Sequence, residues 1–237
     1  MQMDEAKTIR VCVDAHARHS ARADDVAKFY AGKTVNIVVG VEAGGFYSTF
    51  AVLLARHMGA HIPGRPNVIV QHMPRVFTKL LADSLSPKCR LEVVEGSAGE
   101  ELRPGKIWIA PGDYHMALEG VANSARIKLH QQPRENYCRP AVDVLFRSVA
   151  EIYGGATLGV ILTGMGQDGL RGCENIRKAG GQILVQDDAT SVVWGMSGFV
   201  ARAGLADKVL PLGQIAGEIV RRTWVGREKK SFAALGR

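Results

Sequence analysis

The chain has 237 residues, of which 46% are hydrophobic and 22% charged, with 27 glycines and no low-complexity tract; this suits one α/β domain with a sizeable core. The formal charge of +7 comes from Lys and Arg that are scattered or terminal, such as Arg221, Arg222, Lys229 and Lys230. They do not gather with aromatics on one element, so nucleic acid is not expected, and attraction to an acidic protein partner explains the charge at least as well. Cys12, Cys89, Cys138 and Cys173 lie far apart without a CxxC pair, which gives neither metal spacing nor a disulfide framework. The opening MQMDEAKTIRVCVDAHARHSARADD is polar and lacks a secretory signal's apolar run, and no apolar stretch is long enough to span a bilayer. A cytoplasmic compartment is expected, with no membrane insertion.

In chain order, residues 1–30 carry little periodicity beyond IRVCV and read as a leader. A single domain is expected over 31–225, with a tail at 226–237. TVNIVVGV is a continuous β-branched run, the mark of a strand covered on both faces. Gly44–Gly45 breaks it, and FYSTFAVLLARHMGAHI then has helical spacing through Phe46, Phe50, Leu53 and Leu54. NVIVQHM (67–73) is a second buried strand, and VFTKLLADSL the next helix. LEVVEG, KIWIAPG, YHMALEG and ARIKLHQ are short alternating runs between Gly, Pro and Asn, which predict an antiparallel hairpin region. Helix and strand then alternate again: AVDVLFRSVAEIYG, TLGVILTG, GLRGCENIRKAG, QILVQD, KVLPL and QIAGEIVRRTW. The pattern predicts an α/β fold: a doubly wound, mostly parallel sheet with helices on both faces and a small antiparallel hairpin region.

Ligands of such sheets bind at the carboxyl ends of the strands. That rule selects Glu42 after the first strand, His72 in the second, and the loop Thr163–Gly169. The loop TGMGQDG offers backbone N–H groups to an oxyanion, and Asp168 an acid to orient an imidazole. Taken alone, His72 reads more readily as a structural strand histidine than as a catalyst, and Asp168 equally as a helix N-cap. No Walker loop and no full dinucleotide fingerprint is present, so no cofactor or metal is expected.

QHMPRVFTKLLADSL, LRPGKIWIAPGDYHM, YCRPAVDVLFRSVA, GVILTGMGQDGLRGCENIRKAGGQILVQD and SVVWGMSGFVARAGLADKVLPL together resemble the catalytic domain of CheB-type chemotaxis protein-glutamate methylesterases. The resemblance runs from Gln71 to about Arg222. It implies hydrolysis of glutamyl methyl esters on methyl-accepting chemotaxis receptors by a Ser, His and Asp set, with His72 and Asp168 as the latter two. Met165 stands where the family's oxyanion loop offers a backbone N–H. His115, in APGDYHM, belongs to a motif the family shares and reads as cleft-lining or structural.

The front of the chain departs from that pattern. Residues 28–74, FYAGKTVNIVVGVEAGGFYSTFAVLLARHMGAHIPGRPNVIVQHMP among them, resemble tricarboxylate-type periplasmic solute receptors. The two resemblances meet near Val70–Pro74, so a chimera is expected, without the receiver domain that the methylesterase resemblance implies. Aligned on the paired glycines, Glu42 occupies the position of the family's attacking serine. A carboxylate there has no proton to give and tends to hold a nearby imidazole charged. Ser48, six positions on and about a turn inside the predicted helix, is the candidate substitute hydroxyl, with Tyr47 and Thr49 no better placed, but it reads rather as a helix-surface or first-turn serine. The alternatives are a catalytically silent binding domain and a recombinant fold with no activity of its own.

Overall fold

The computed structural model describes residues 67–223 in full and residues 34–38 as backbone strand. Glu42, Ser48, the predicted helix from Phe46, the leader and the tail all lie outside the described residues.

The main sheet has seven strands in the order β3-β4-β2-β1-β7-β8-β9, and each pairing is parallel. These are β1 (Thr34–Val38), β2 (Asn67–Ile69), β3 (Glu92–Glu95), β4 (Lys106–Ile109), β7 (Thr157–Ile161), β8 (Gln182–Gln186) and β9 (Lys208–Leu210). β1 is flanked by β2, with Val35 opposite Asn67, and by β7, with Val38 opposite Ile161. The chain winds to one side of β1 through β2–β4 and to the other through β7–β9. The strand order therefore reverses beside β1, the place where a crevice opens in such sheets.

Alternation along the buried strands feeds two apolar layers. Ile69, Ile107, Ile109, Leu158, Val160 and Leu184 face one side with Ala82 and Leu85 of α1 (Arg75–Leu85) and Ile215 and Ile219 of α5 (Leu212–Thr223). Val68, Trp108, Ile161, Ile183 and Val185 face the other. There they meet α2 (Val142–Tyr153), α3 (Leu170–Lys178) and α4 (Met196–Arg202). In α2 the apolar residues at 142, 145, 146, 149 and 153 recur at helical spacing and are all buried. Burying side chains of this size stabilises the fold by about 1.5–3 kcal/mol each.

The middle of the chain corrects the sequence reading in part. β5 (His115–Glu119) and β6 (Arg126–His130) form the expected antiparallel hairpin, packed on α2 through the Ser148 Oγ that accepts the Leu118 N–H at 2.9 Å. β3 and β4, however, belong to the parallel sheet. Their link, residues 96–105, carries no helix, which is why the pair reads as a hairpin. Its backbone is satisfied by the edge of β6 instead: Gly99 N–H to Ile127 O at 2.7 Å, Leu102 N–H to Ala125 O at 2.9 Å and Ile127 N–H to Glu100 O at 2.8 Å. α4 is a further departure, since MSGFVAR has no long apolar period and no element was expected there.

Candidate active site

His72 leaves the carboxyl end of β2 in a tight turn. Met73 N–H donates to Gln71 O at 2.9 Å, and Ala110 N–H reaches across from β4 to Ile69 O at 2.8 Å. Gly112 makes the close approach possible, because a Cβ there would lie 2.4 Å from Arg75 N. Its own N–H donates to Thr78 Oγ1 at 3.0 Å, which ties the Pro74–Arg75 backbone to the loop after β4.

The Thr163–Gly169 loop is clamped from the side of residues 186–196. Gln186 Oε1 accepts the Thr163 N–H at 2.8 Å, Gly164 N–H donates to Val193 O at 3.1 Å, and Met196 N–H to Gly164 O at 2.8 Å. A Cβ on Gly195 would sit 2.5 Å from Gly164 O, so this packing requires glycine. Met165 is 63% exposed beyond the clamp, and among the described residues no backbone group takes its N–H.

These two loops bring the predicted pair together. His72 Nε2 lies 2.7 Å from Asp168 Oδ2, with the histidine side chain 15% and the aspartate side chain 1% exposed. Asp168 does not cap its own helix: α3 has Gly169 at its N-cap with no side-chain cap bond. Instead it caps α2 from outside, accepting Val142 N–H at 2.7 Å on Oδ2 and Asp143 N–H at 3.1 Å on Oδ1. Asn136 Nδ2 completes the set, donating at 3.0 Å to Asp168 Oδ1 and at 2.8 Å to Asp143 Oδ2. Each oxygen of Asp168 thus accepts two hydrogen bonds, and the helix N-terminus favours its negative charge.

Burial alone pushes the His72 imidazole down, but hydrogen bonds and charge from Asp168 and Cys138 outweigh it and raise its pKa to about 9. Burial pushes the Asp143 carboxyl up, against the Gly172 N–H that it accepts at 2.7 Å.

Cys138, Asn136 and Asp143 were not singled out from the sequence. Nothing in the local pattern of NYCRPAVD marks them, because the turn and the start of α2 that carry them meet the His72–Asp168 pair only in the fold. The potential ligand atoms of His72, Cys138 and Asp168 all lie within 4.8 Å of one another, a cluster that cysteine spacing along the chain did not suggest. His115 is fully buried and structural: Nε2 lies 3.0 Å from Pro133 O, and Nδ1 accepts the Ala141 N–H at 3.3 Å. Burial pushes its imidazole down.

A doubly wound sheet with an imidazole–carboxylate pair at its carboxyl edge, beside a glycine-rich loop, is the architecture of an α/β hydrolytic domain. The family model described as CheB methylesterase matches residues 37–219. The protein-glutamate methylesterase/protein-glutamine glutaminase of Trichodesmium erythraeum (strain IMS101) is 53% identical over 186 residues, covering 78% of this chain and 52% of that protein. Its counterpart in Maricaulis maris (strain MCS10) is 54% identical over 157 residues, 66% of this chain and 39% of that one. The crystal structure of the Thermotoga maritima CheB methylesterase catalytic domain superposes with a TM-score of 0.73 at 38% identity, covering 81% of this chain and 98% of that domain.

The chain belongs to the CheB methylesterase family. It spans about half the length of the curated relatives it matches. The family match opens at residue 37, inside β1, and runs across Val70–Pro74; this counts against a junction between two families at that point. No helix among the described residues is long and apolar enough to cross a membrane.

Proposed function

We propose that this domain hydrolyses carboxylic esters of the glutamyl methyl ester type on chemoreceptors, in the cytoplasm, with His72 as the proton-transfer group and Asp168 as the residue that orients it. The observation that carries this reading is the 2.7 Å contact between His72 Nε2 and a buried Asp168 whose remaining acceptor positions are filled by Val142, Asp143 and Asn136. A carboxylate held in that way fixes the ring's tautomer and stabilises the imidazolium formed when a nucleophile's proton is taken up. The N–H of Met165 is the donor assigned to the carbonyl oxygen as it becomes an oxyanion; one such donor contributes about 3 kcal/mol to the transition state. The imidazolium then returns its proton to the departing methoxide, and methanol leaves. A second round with water, deprotonated by the neutral ring, frees the carboxylate.

The test is methanol release from methylated receptor by the parent, His72→Gln and Glu42→Ser. Loss of release in His72→Gln supports the assignment, and release that survives the change refutes it.

One feature favours a second reading. Glu42 stands at the family's serine position, and attack by a carboxylate on an alkyl ester yields an anhydride rather than a stable ester. A silent domain that still docks a receptor predicts no release from the parent and release from Glu42→Ser.

A further inference from the structure

The His72–Asp168 pair lacks an attacking atom if Glu42 replaces the serine, yet the structure brings a different nucleophile to the same ring. The sulfur of Cys138 belongs to the cluster in which the reactive atoms of His72, Cys138 and Asp168 are mutually within 4.8 Å. We propose that Cys138 is the attacking group of this site, a thiol paired with the His72 imidazole while Asp168 holds the ring. The inference rests on the ester-hydrolase reading of the His72–Asp168 pair and supplies its missing member.

Several observations support it. The position of Cys138 is built: its N–H donates to Glu135 O at 2.8 Å, closing a turn in which Asn136 and Tyr137 have φ of 51° and 64°. That turn is tied to the body at three places. Arg147 Nη2 donates to Glu135 Oε1 at 2.6 Å, Asn136 bridges Asp143 and Asp168, and Arg139 Nη2 donates to Asp113 Oδ1 at 2.7 Å. Cys138 is half-buried, unlike the fully buried Cys173.

A metal site is the rival use of these three side chains. It fits poorly, because each oxygen of Asp168 already accepts two protein hydrogen bonds and an ion would have to displace His72 from one of them. The other described cysteines show the contrast. Cys173 is fully buried, with its thiol pushed up by burial, and Cys89 packs against the apolar layer beneath α1. Only Cys138, among the described cysteines, is grouped with an imidazole and a carboxylate.

The chemistry balances without any co-reactant. The thiol proton passes to the imidazole, giving a thiolate beside an imidazolium, and the sulfur attacks the ester carbonyl. The C–O bond to the alcohol breaks, the imidazolium protonates the alkoxide, and an acyl thioester remains on Cys138. Water, losing its proton to the now neutral ring, cleaves the thioester to a carboxylate and restores the thiol.

The test has two parts, neither of which uses a receptor. First, iodoacetamide at neutral pH, followed by peptide mass spectrometry, should modify Cys138 at least about tenfold faster than Cys89, and the advantage should vanish in His72→Gln. Second, p-nitrophenyl acetate should leave an acetyl group on Cys138 that hydroxylamine removes, and Cys138→Ala should neither carry the acetyl nor turn over the ester. Cys138→Ser, of similar size, reports whether the turn survives substitution through an unchanged melting curve. Equal alkylation of Cys138 and Cys89, indifference to His72→Gln, or an acetyl group found on another residue overturns the proposal. Acylation of Cys138 by the aryl ester without release of methanol from methylated receptor would leave the thiol assignment standing and refute the receptor-ester reading.

Discussion

Replacing Asp168 by asparagine tests both the stability and the electrostatics of the site. The carboxylate accepts four hydrogen bonds, from His72 Nε2, Val142 N–H, Asp143 N–H and Asn136 Nδ2. An asparagine keeps one acceptor oxygen and turns the other position into an NH2 donor, which then faces two further donors. Two charge-assisted bonds are lost and at least one buried N–H is left without a partner. At about 1.5–3 kcal/mol for each bond to a charged group, less what local relaxation recovers, the loss is about 3 kcal/mol. For a domain of this size that lowers the melting temperature by about 6–12 °C. The same change removes the main support for the His72 imidazolium while burial still disfavours it, so its pKa falls from about 9 by at least about one unit. Histidine side-chain NMR across pH 5–10 on parent and Asp168→Asn reads this directly, with calorimetry for the melting temperature. A His72 that still titrates near 9 in the variant, with the fold intact, would refute the claim that Asp168 governs the ring.

The same raised pKa has a consequence for stability. His72 moves from about 6.5 unfolded to about 9 folded, so its contribution is fully present below about pH 6.5 and is lost as pH rises through about 9. The span corresponds to at most about 3 kcal/mol, and urea midpoints should fall over that window in the parent while His72→Gln stays flatter. Gly112→Ala forces a methyl to within 2.4 Å of Arg75 N; it should cost about 2 kcal/mol and slow ester turnover by displacing the His72 turn, as urea titration and an aryl-ester assay will show. Gly195→Ala pushes on Gly164 O at 2.5 Å, and its expected signature is lost turnover with little change in His72 titration, since the loop rather than the His–Asp pair moves. Glu218 takes Arg221, Arg222 and Lys208 on one carboxylate, which holds it far below the usual range; Glu218→Gln should lower the urea midpoint at neutral pH and lose that effect as pH falls through the carboxylate range.

The long buried runs made the architecture legible. TLGVIL and QILVQ are apolar on both faces, and only a parallel sheet covered on both sides asks for that. The strand-end rule then led to His72 and Asp168, which the fold joins across 96 positions of sequence. What stayed hidden depends on long-range contact. β3 and β4 look like a hairpin because their link pairs with β6 instead of forming a helix. Asp168 looks like a cap for its own helix, yet it caps α2. Cys138 has no periodicity or spacing to mark it, and only the left-handed turn through Asn136 and Tyr137 carries it to the imidazole.

The most direct test of the account is methanol release from methylated chemoreceptor by the parent chain, measured beside its His72→Gln variant. The account predicts release from the parent and its loss, by several orders of magnitude, in the variant. No release from the parent, or release that His72→Gln leaves untouched, would contradict it.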